Sequence, residues 1–224
     1  MRWWKRIIDF IYPERCAACG EWESLLCEEC KRAIQEGEQT CVMCGERAMD
    51  GWTHRECRKA WGIDGLTVLL SYKDERVRRI IKEIKFGLNR NLVAELWQEF
   101  DLGTGLDFEV VVVIPLHRKR ENWRGFNQSK LIAEQVERSL GIEVVKALKR
   151  IKKTKQQAKF KKISERRVNV KNVFRLNEKE RERVRGKRVL LIDDVLRSGA
   201  TIKEGGKVLK RAGALKVWGM VLAR

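Results

Sequence analysis

At 224 residues the chain is long enough for one full-sized domain with a small one beside it, and an apolar fraction of 43% excludes wholesale disorder. The formal charge of +18 is unevenly placed: residues 1–62 hold 10 Lys and Arg against 11 Asp and Glu, whereas residues 146–188 alone hold 19 against 4. A field that concentrated raises the local level of anions, either phosphate-bearing small molecules or nucleic acid, and it leaves the first 62 residues a poor candidate for the main nucleic-acid surface.

Residues 3–12 form an aromatic-rich stretch interrupted by Lys5, Arg6 and Asp9, too short and too charged for a signal peptide or a transmembrane helix. No stable membrane insertion is expected, and the expected compartment is the cytoplasm. The stretch reads either as an interfacial helix or, more commonly for such segments, as a short helix packed on the domain behind it.

All seven cysteines fall within residues 16–57, as Cys16-x-x-Cys19, Cys27-x-x-Cys30 and Cys41-x-x-Cys44, followed by His54-x-x-Cys57. Together with His54 they make eight ligands, enough for two tetrahedral Zn²⁺ sites with no thiol left over. Disulfides are the rival reading, but cysteines paired two apart in a chain without a secretion signal favour metal. Sequence order assigns Cys16, Cys19, Cys27 and Cys30 to one site and Cys41, Cys44, His54 and Cys57 to the other; a cross-braced arrangement would use the same eight. With four protein ligands each, both sites read as structural, supplying folding energy that so short a segment lacks.

Beyond this head the pattern becomes α/β. Residues 66–72 read as a strand, and residues 74–86 as a helix with Val77, Ile80, Ile81 and Ile84 at helical spacing, leaving Arg78, Arg79, Lys82 and Lys85 as a solvated basic face. A helical stretch follows at 91–100, then a Val-rich strand at 109–114 that ends at Pro115. The next loop carries His117-Arg118-Lys119-Arg120 and Arg124-Gly125-Phe126-Asn127-Gln128 before a helix through Leu131, Ile132 and Val136. A cationic, Gly-containing loop between a strand end and a helix start suits a diphosphate, the alternative being an exposed basic loop. Residues 152–162, rich in charge and poor in apolar groups, have the composition of a mobile segment.

Residues 189–192 form a continuous apolar run, as expected for a strand covered on both faces of a parallel sheet. Asp193 and Asp194 fall at its carboxyl end, where ligands bind in open α/β sheets. Ser198 to Thr201 then lead into a helix over 201–211, with Thr201 and Glu204 at capping-box spacing, so that small side chains and a helix's positive end meet at one turn. Gly205 and Gly206 inside that helix imply close packing on the sheet, and a last strand spans 215–223.

The stretch 189–201 resembles the phosphoribosyl pyrophosphate (PRPP) signature of type I phosphoribosyltransferases. The resemblance implies that Asp193 and Asp194 hold the ribose hydroxyls, while Val195, Leu196, Arg197, Ser198, Gly199, Ala200 and Thr201 wrap the 5-phosphate. Arg197 departs from the signature, which has a small or hydroxyl residue there; an arginine adds a bidentate phosphate contact. With the Arg-Gly-Phe-Asn-Gln run, the double zinc ribbon and a Lys85-Phe86 pair, the chain resembles the ComF/GntX family of phosphoribosyltransferase-like proteins over nearly its whole length. Arg150, Thr154, Gln157, Arg166, Arg167, Asn169, Asn172 and Phe174 follow that family's pattern between the basic loop and the signature.

The resemblance implies an α/β fold, a type I phosphoribosyltransferase-like parallel sheet flanked by helices over residues 63–224, behind an N-terminal helix and zinc ribbon over residues 1–62. It implies PRPP binding with Mg²⁺, Arg118, Lys119, Arg124 and Gly125 on the diphosphate, a flap bearing Thr154, Gln157, Arg166 and Arg167, and transfer of phosphoribosyl to an acceptor with release of diphosphate. The family's link to natural competence and DNA uptake implies an alternative: an adaptor that binds single-stranded DNA or other competence proteins, its PRPP site regulatory or vestigial. Trp123, Phe126 and Phe160, set among cations, are then candidates for base stacking.

Overall fold

The computed structural model describes residues 14–22, 24–87, 90–100, 107–116, 125–152 and 171–224. Five strands form one parallel sheet in the order β1-β7-β6-β2-β3, where β1 is Gly65–Leu70, β2 Val110–Val113, β3 Val144–Val145, β6 Arg188–Val195 and β7 Lys216–Ala223. A separate antiparallel pair is formed by β4 (Leu148–Arg150) and β5 (Phe174–Leu176).

The apolar run that precedes Asp193 is continuous because each face of β6 meets its own core. Leu190 and Ile192 belong to one cluster, with Val77, Ile80, Ile81, Ile84, Leu92 and Ile132, whereas Val189 and Leu191 belong to the other, with Leu148, Phe174, Ile202 and Leu209. The first face is covered by helices α3 (Glu75–Phe86), α4 (Asn91–Trp97) and α5 (Gln128–Leu140), after two short helices in the head, α1 (Glu28–Ala33) and α2 (Arg55–Trp61). The second is covered by the β4–β5 pair and by α7 (Ala200–Arg211), which follows a one-turn α6 (Arg181–Val184). Burying a Leu or Ile completely is worth roughly 1.5–3 kcal/mol each, so a strand apolar on both faces is fixed between these layers.

The helix boundaries have local causes. Asp74 caps α3 by accepting from Arg76 N–H at 2.9 Å, and the four apolar residues at helical spacing are all buried. Asn127 caps α5 by accepting from Ser129 N–H at 3.1 Å, and its amide also donates to the Ile114 carbonyl at 3.1 Å. One side chain therefore starts the helix and ties its first turn to the end of β2.

The head is built into the body. Residues 35–39 run antiparallel along β1, with Gly37 N–H on the Leu69 carbonyl and Ser71 N–H on that of Gln35, both at 3.0 Å. Gln39 continues the ladder with its side chain, accepting from Val68 N–H at 3.1 Å and donating to the Val68 carbonyl at 2.8 Å. An open edge strand is thereby paired rather than left to recruit another chain. Asp64 ties the junction to β7, accepting from Val217 N–H at 2.7 Å and pairing with Lys210 at 2.8 Å.

Candidate functional site

Each metal quartet expected from the sequence comes together: within Cys16, Cys19, Cys27 and Cys30, and within Cys41, Cys44, His54 and Cys57, all ligand atoms lie inside 4.8 Å of one another. Cys19 and Cys27 sulfurs are 3.8 Å apart, matching the about 3.8 Å edge of a tetrahedron with Zn–S bonds of about 2.3 Å. The knuckles repeat the same turn. Gly20 and Gly45 sit at φ 89° and 86°, donating to the Cys16 and Cys41 carbonyls, while Cys16 and Cys41 N–H donate to Glu21 and Glu46. Burial pushes the Cys16 and Cys41 thiols up, but the N–H groups around each sulfur outweigh it, leaving them at about 6 and about 7, a setting for thiolate ligands. His54 turns Nδ1 to Cys44 Sγ at 3.4 Å, and Nε2 lies 3.2 Å from the Arg47 carbonyl. With Nε2 protonated, Nδ1 is the free lone pair for metal, and the carbonyl fixes both tautomer and ring angle.

The second constellation lies at the carboxyl edge of the sheet. The strand β6 runs through Val195, so Asp193 and Asp194 sit within its last residues rather than after it. Ser129 Oγ lies 3.3 Å from Asp193 Oδ1, which also accepts from Asp194 N–H at 3.0 Å; Val195 N–H donates to Asp194 Oδ1 at 2.7 Å. Burial and then the charge of Asp194 push Asp193 up to about 7, against the opposing pull of Asp194 N–H, Lys85 and Ser129. Such a pair is suited to a cation or to hydroxyl donors.

Lys85 answers part of that charge, its Nζ lying 3.2 Å from Asp194 Oδ2 with both side chains largely covered. The sequence pattern placed Lys85 on a solvated face; it stands beside Ile84 and one turn after Ile81, at the flank of the buried stripe, and that offset carries it over the sheet edge. Ser129 was also passed over, although its place two residues after the Asn127 cap makes it face the same edge.

After the acids, Leu196 N–H donates to the Ala223 carbonyl at 2.9 Å, Leu196 is buried and Arg197 is exposed. Ser198 Oγ is buried with no hydrogen-bond partner among the described residues. Gly199 adopts φ 68° and is itself the N-cap of α7. The capping box expected from Thr201 and Glu204 does not form: Ala200 already opens the helix, Thr201 lies inside it, and Glu204 Oε1 instead accepts from Asn172 N–H at 2.6 Å. Phe126 is also no base-stacking platform, being 8% exposed in the core with Arg90 over its ring at 5.2 Å.

Gly125 sits at φ 74° in open space, so backbone conformation rather than crowding requires glycine there. The strand β2 is the neighbour of β6, with Val113 opposite Ile192, so the carboxyl end of β2 and the acidic pair share one edge of the sheet. Arg118, Lys119 and Arg124, the flap candidates Thr154, Gln157, Arg166 and Arg167, and Trp123 and Phe160 lie outside the described residues. Arg150 and Phe174 pair across β4 and β5, with Arg150 donating to the Pro115 carbonyl at 3.3 Å, so the family-patterned residues frame the segment between them. No helix among the described residues is long and apolar enough to cross a membrane.

Residues 91–224 match the phosphoribosyl transferase domain and residues 7–59 the double zinc ribbon domain. Competence protein F of Haemophilus influenzae is 36% identical over 118 residues, which is 51% of each chain, so the chain spans about half the length of that relative. DNA utilization protein YhgH of Escherichia coli (strain K12) is 29% identical over 218 residues, 90% of this chain and 91% of that protein. Among solved structures, glutamine PRPP amidotransferase from B. subtilis, complexed with ADP and GMP, overlaps 63% of this chain and 30% of its own, at 18% identity and a TM-score of 0.39. With more than half of its residues matched, the chain belongs to the phosphoribosyl transferase domain family and carries a double zinc ribbon ahead of that domain.

Proposed function

We propose that this protein binds PRPP with Mg²⁺ at the carboxyl edge of its parallel sheet. The observation that carries this reading is the adjacent pair Asp193 and Asp194 at the end of β6, followed by a turn whose last residue, Gly199, is left-handed and opens a long helix. The raised Asp193 is a fit for a cation, and the buried Ser198 hydroxyl is a donor for a phosphate oxygen. On this reading Asp193 and Asp194 orient the ribose hydroxyls, Val195 to Thr201 hold the 5-phosphate, and Arg118, Lys119, Arg124 and Gly125 hold the diphosphate. Thr154, Gln157, Arg166 and Arg167 close over the ligand, residues 1–62 form a ribbon domain and residues 63–224 the catalytic one. When bound, Mg²⁺ neutralises diphosphate charge.

Transfer would break the bond from ribose C1 to diphosphate and form one to an acceptor, with Asp193 and Asp194 holding the ring and the cationic loop taking the leaving charge. Titration of Mg²⁺ and PRPP into the protein tests the reading: heat with wild type and none with Asp193→Ala plus Asp194→Ala is expected, and equal heats would sink it.

A second reading, a cytoplasmic adaptor for single-stranded DNA or competence proteins with a regulatory or vestigial PRPP site, is favoured by the charge of residues 146–188 and by the names of the relatives, competence protein F and DNA utilization protein YhgH. Affinity for a single-stranded oligonucleotide that falls steeply with salt supports it, since each phosphate contact releases counterions; a flat response removes it.

A further inference from the structure

The acidic pair at the carboxyl end of β6 suits a cation or hydroxyl donors, and the chain itself already supplies the cation. Lys85 Nζ stands 3.2 Å from Asp194 Oδ2, with 14% and 22% of the two side chains exposed. An ion pair on the open surface is weak because water and salt screen it, whereas this one is largely covered and is screened less. The ammonium is also held from behind. Ile81 and Ile84 are each 2% exposed in the core, which fixes the last turn of α3, and the helix ends one residue beyond Lys85, at Phe86.

The hydrogen bonds of the pair leave little room for a second cation. Asp194 Oδ1 accepts from Val195 N–H at 2.7 Å, and Asp193 Oδ1 accepts from Asp194 N–H at 3.0 Å and from Ser129 Oγ at 3.3 Å. With Lys85 on Asp194 Oδ2, three of the four carboxylate oxygens face donors of the protein itself. A bare Mg²⁺ needs bonds of about 2.0–2.1 Å to such oxygens, and it would crowd the ammonium, so it has to displace Lys85 to bind. A hydroxyl does not. Each carboxylate offers roughly four acceptor sites, so neighbouring hydroxyls of a sugar add to these bonds with the ammonium still in place.

We propose that Lys85 reserves the acidic pair for hydroxyl donors: its ammonium holds the cation position at Asp194, the free site takes no divalent ion, and metal enters only on the phosphates of a ligand. Lys85 is thereby a specificity-determining residue, selecting a neutral diol over a bare dication. That the diol is the ribose of PRPP rests on the reading above; the exclusion of the bare ion does not.

The test uses the zinc-loaded full chain with Mn²⁺ as the probe and no phosphate ligand, so its outcome is separate from that of the PRPP reading. Mn²⁺ suits oxygen ligands and ranks below Zn²⁺ at nitrogen and sulfur, so the ribbon keeps its zinc. Loss of the free-ion signal in electron paramagnetic resonance then reads the Mn²⁺ bound. Lys85→Met, which keeps an apolar stem without the charge, is expected to bind Mn²⁺ about tenfold or more tighter than wild type. Lys85→Arg, which keeps the charge, should behave as wild type, and adding Asp194→Asn to Lys85→Met should abolish the gain. Lys85→Gln, which keeps an N–H donor for Asp194, should gain as Lys85→Met does and stands in for it should the methionine variant fail to fold, as read by circular dichroism. Equal Mn²⁺ affinity in wild type and the neutral variants, whether measurable or absent, overturns the proposal, and so does a gain that survives Asp194→Asn.

Discussion

Val42, between the zinc ligands Cys41 and Cys44, lies directly against Gly199, the N-cap of α7: a Cβ at Gly199 would stand 3.2 Å from Val42 Cγ2 and 3.3 Å from its carbonyl. Val42 is 5% exposed and shares a core cluster with Leu196, Ala200 and Ile202. The second metal quartet therefore buttresses the turn proposed to take the 5-phosphate. Chelating zinc should unfold the ribbon and weaken PRPP binding together, because the ribbon's folding energy is metal energy. Val42→Ala should keep both zinc ions by atomic absorption yet cost about 1–3 kcal/mol of stability, with weaker PRPP binding in calorimetry. Unchanged affinity in the chelated protein would show the turn to be self-supporting.

Gly199→Ala tests the same contact from the other side. A left-handed non-glycine residue costs about 1–2 kcal/mol, and here the added methyl also meets Val42 and Lys203. A fall in melting temperature of about 2–8 °C is expected for such losses in a domain of this size, with a larger proportional loss of PRPP affinity.

Asp193 makes stability depend on pH in a direction opposite to that of a salt-bridged acid. Its folded-state value is raised to about 7 from the ordinary 3.8, so the unfolded chain ionises first. This contribution to stability is largest below the ordinary value, declines as pH rises from about 4 to about 7, and is level above that. Asp193→Asn should remove that slope and raise stability at pH 8 by on the order of 2 kcal/mol, after allowance for the water at the open side of the pair. Differential scanning calorimetry of both proteins across pH 4–8 reads this directly; parallel curves would show that Asp193 ionises normally.

Lys85 should shift that window. Removing the cation 3.2 Å from Asp194 strips one of the influences that hold Asp193 down. Lys85→Met should cost about 1–3 kcal/mol at pH 8, less at pH 5, and move the midpoint of the slope upward. Adding Asp194→Asn should recover part of the loss, since the double variant no longer sets two carboxylates side by side without a cation. Additive losses in the double variant would mean that Lys85 acts through packing alone.

The sequence made some parts of this molecule legible because they rest on local chemistry. Eight ligands at knuckle spacing, four apolar residues at helical spacing in α3 and a strand apolar on both faces each point to a local arrangement that the structure adopts, while the choice between sequential and cross-braced ligand quartets is settled only by the fold. What escaped depended on partners distant in sequence. Lys85 could not be told from its solvated neighbours until α3 was laid over β6, and the capping box at Thr201 was lost because Asn172 claims Glu204. Phe126 looked like a platform for bases only because the cations around it are visible in sequence and the core beneath it is not.

The paired glycines in α7 give the last prediction. In an exposed helix, Gly→Ala gains about 1 kcal/mol, and Gly206 would be expected to follow. Its Cβ position, however, is occupied by the Cδ1 end of Ile63, with Cγ1 at 2.8 Å, and Ile63 is wholly buried against the same core. The methyl must displace a side chain with nowhere to go, and overpacking of this kind costs about 1–3 kcal/mol, enough to reverse the sign. Gly206→Ala should therefore destabilise the protein in urea unfolding. Ile63→Val, which removes Cδ1, costs about 0.5–1.5 kcal/mol alone, and in that background the alanine should become neutral or stabilising. A double variant as unstable as the sum of the singles would mean that the clash is relieved elsewhere and that the helix, not Ile63, is what requires glycine.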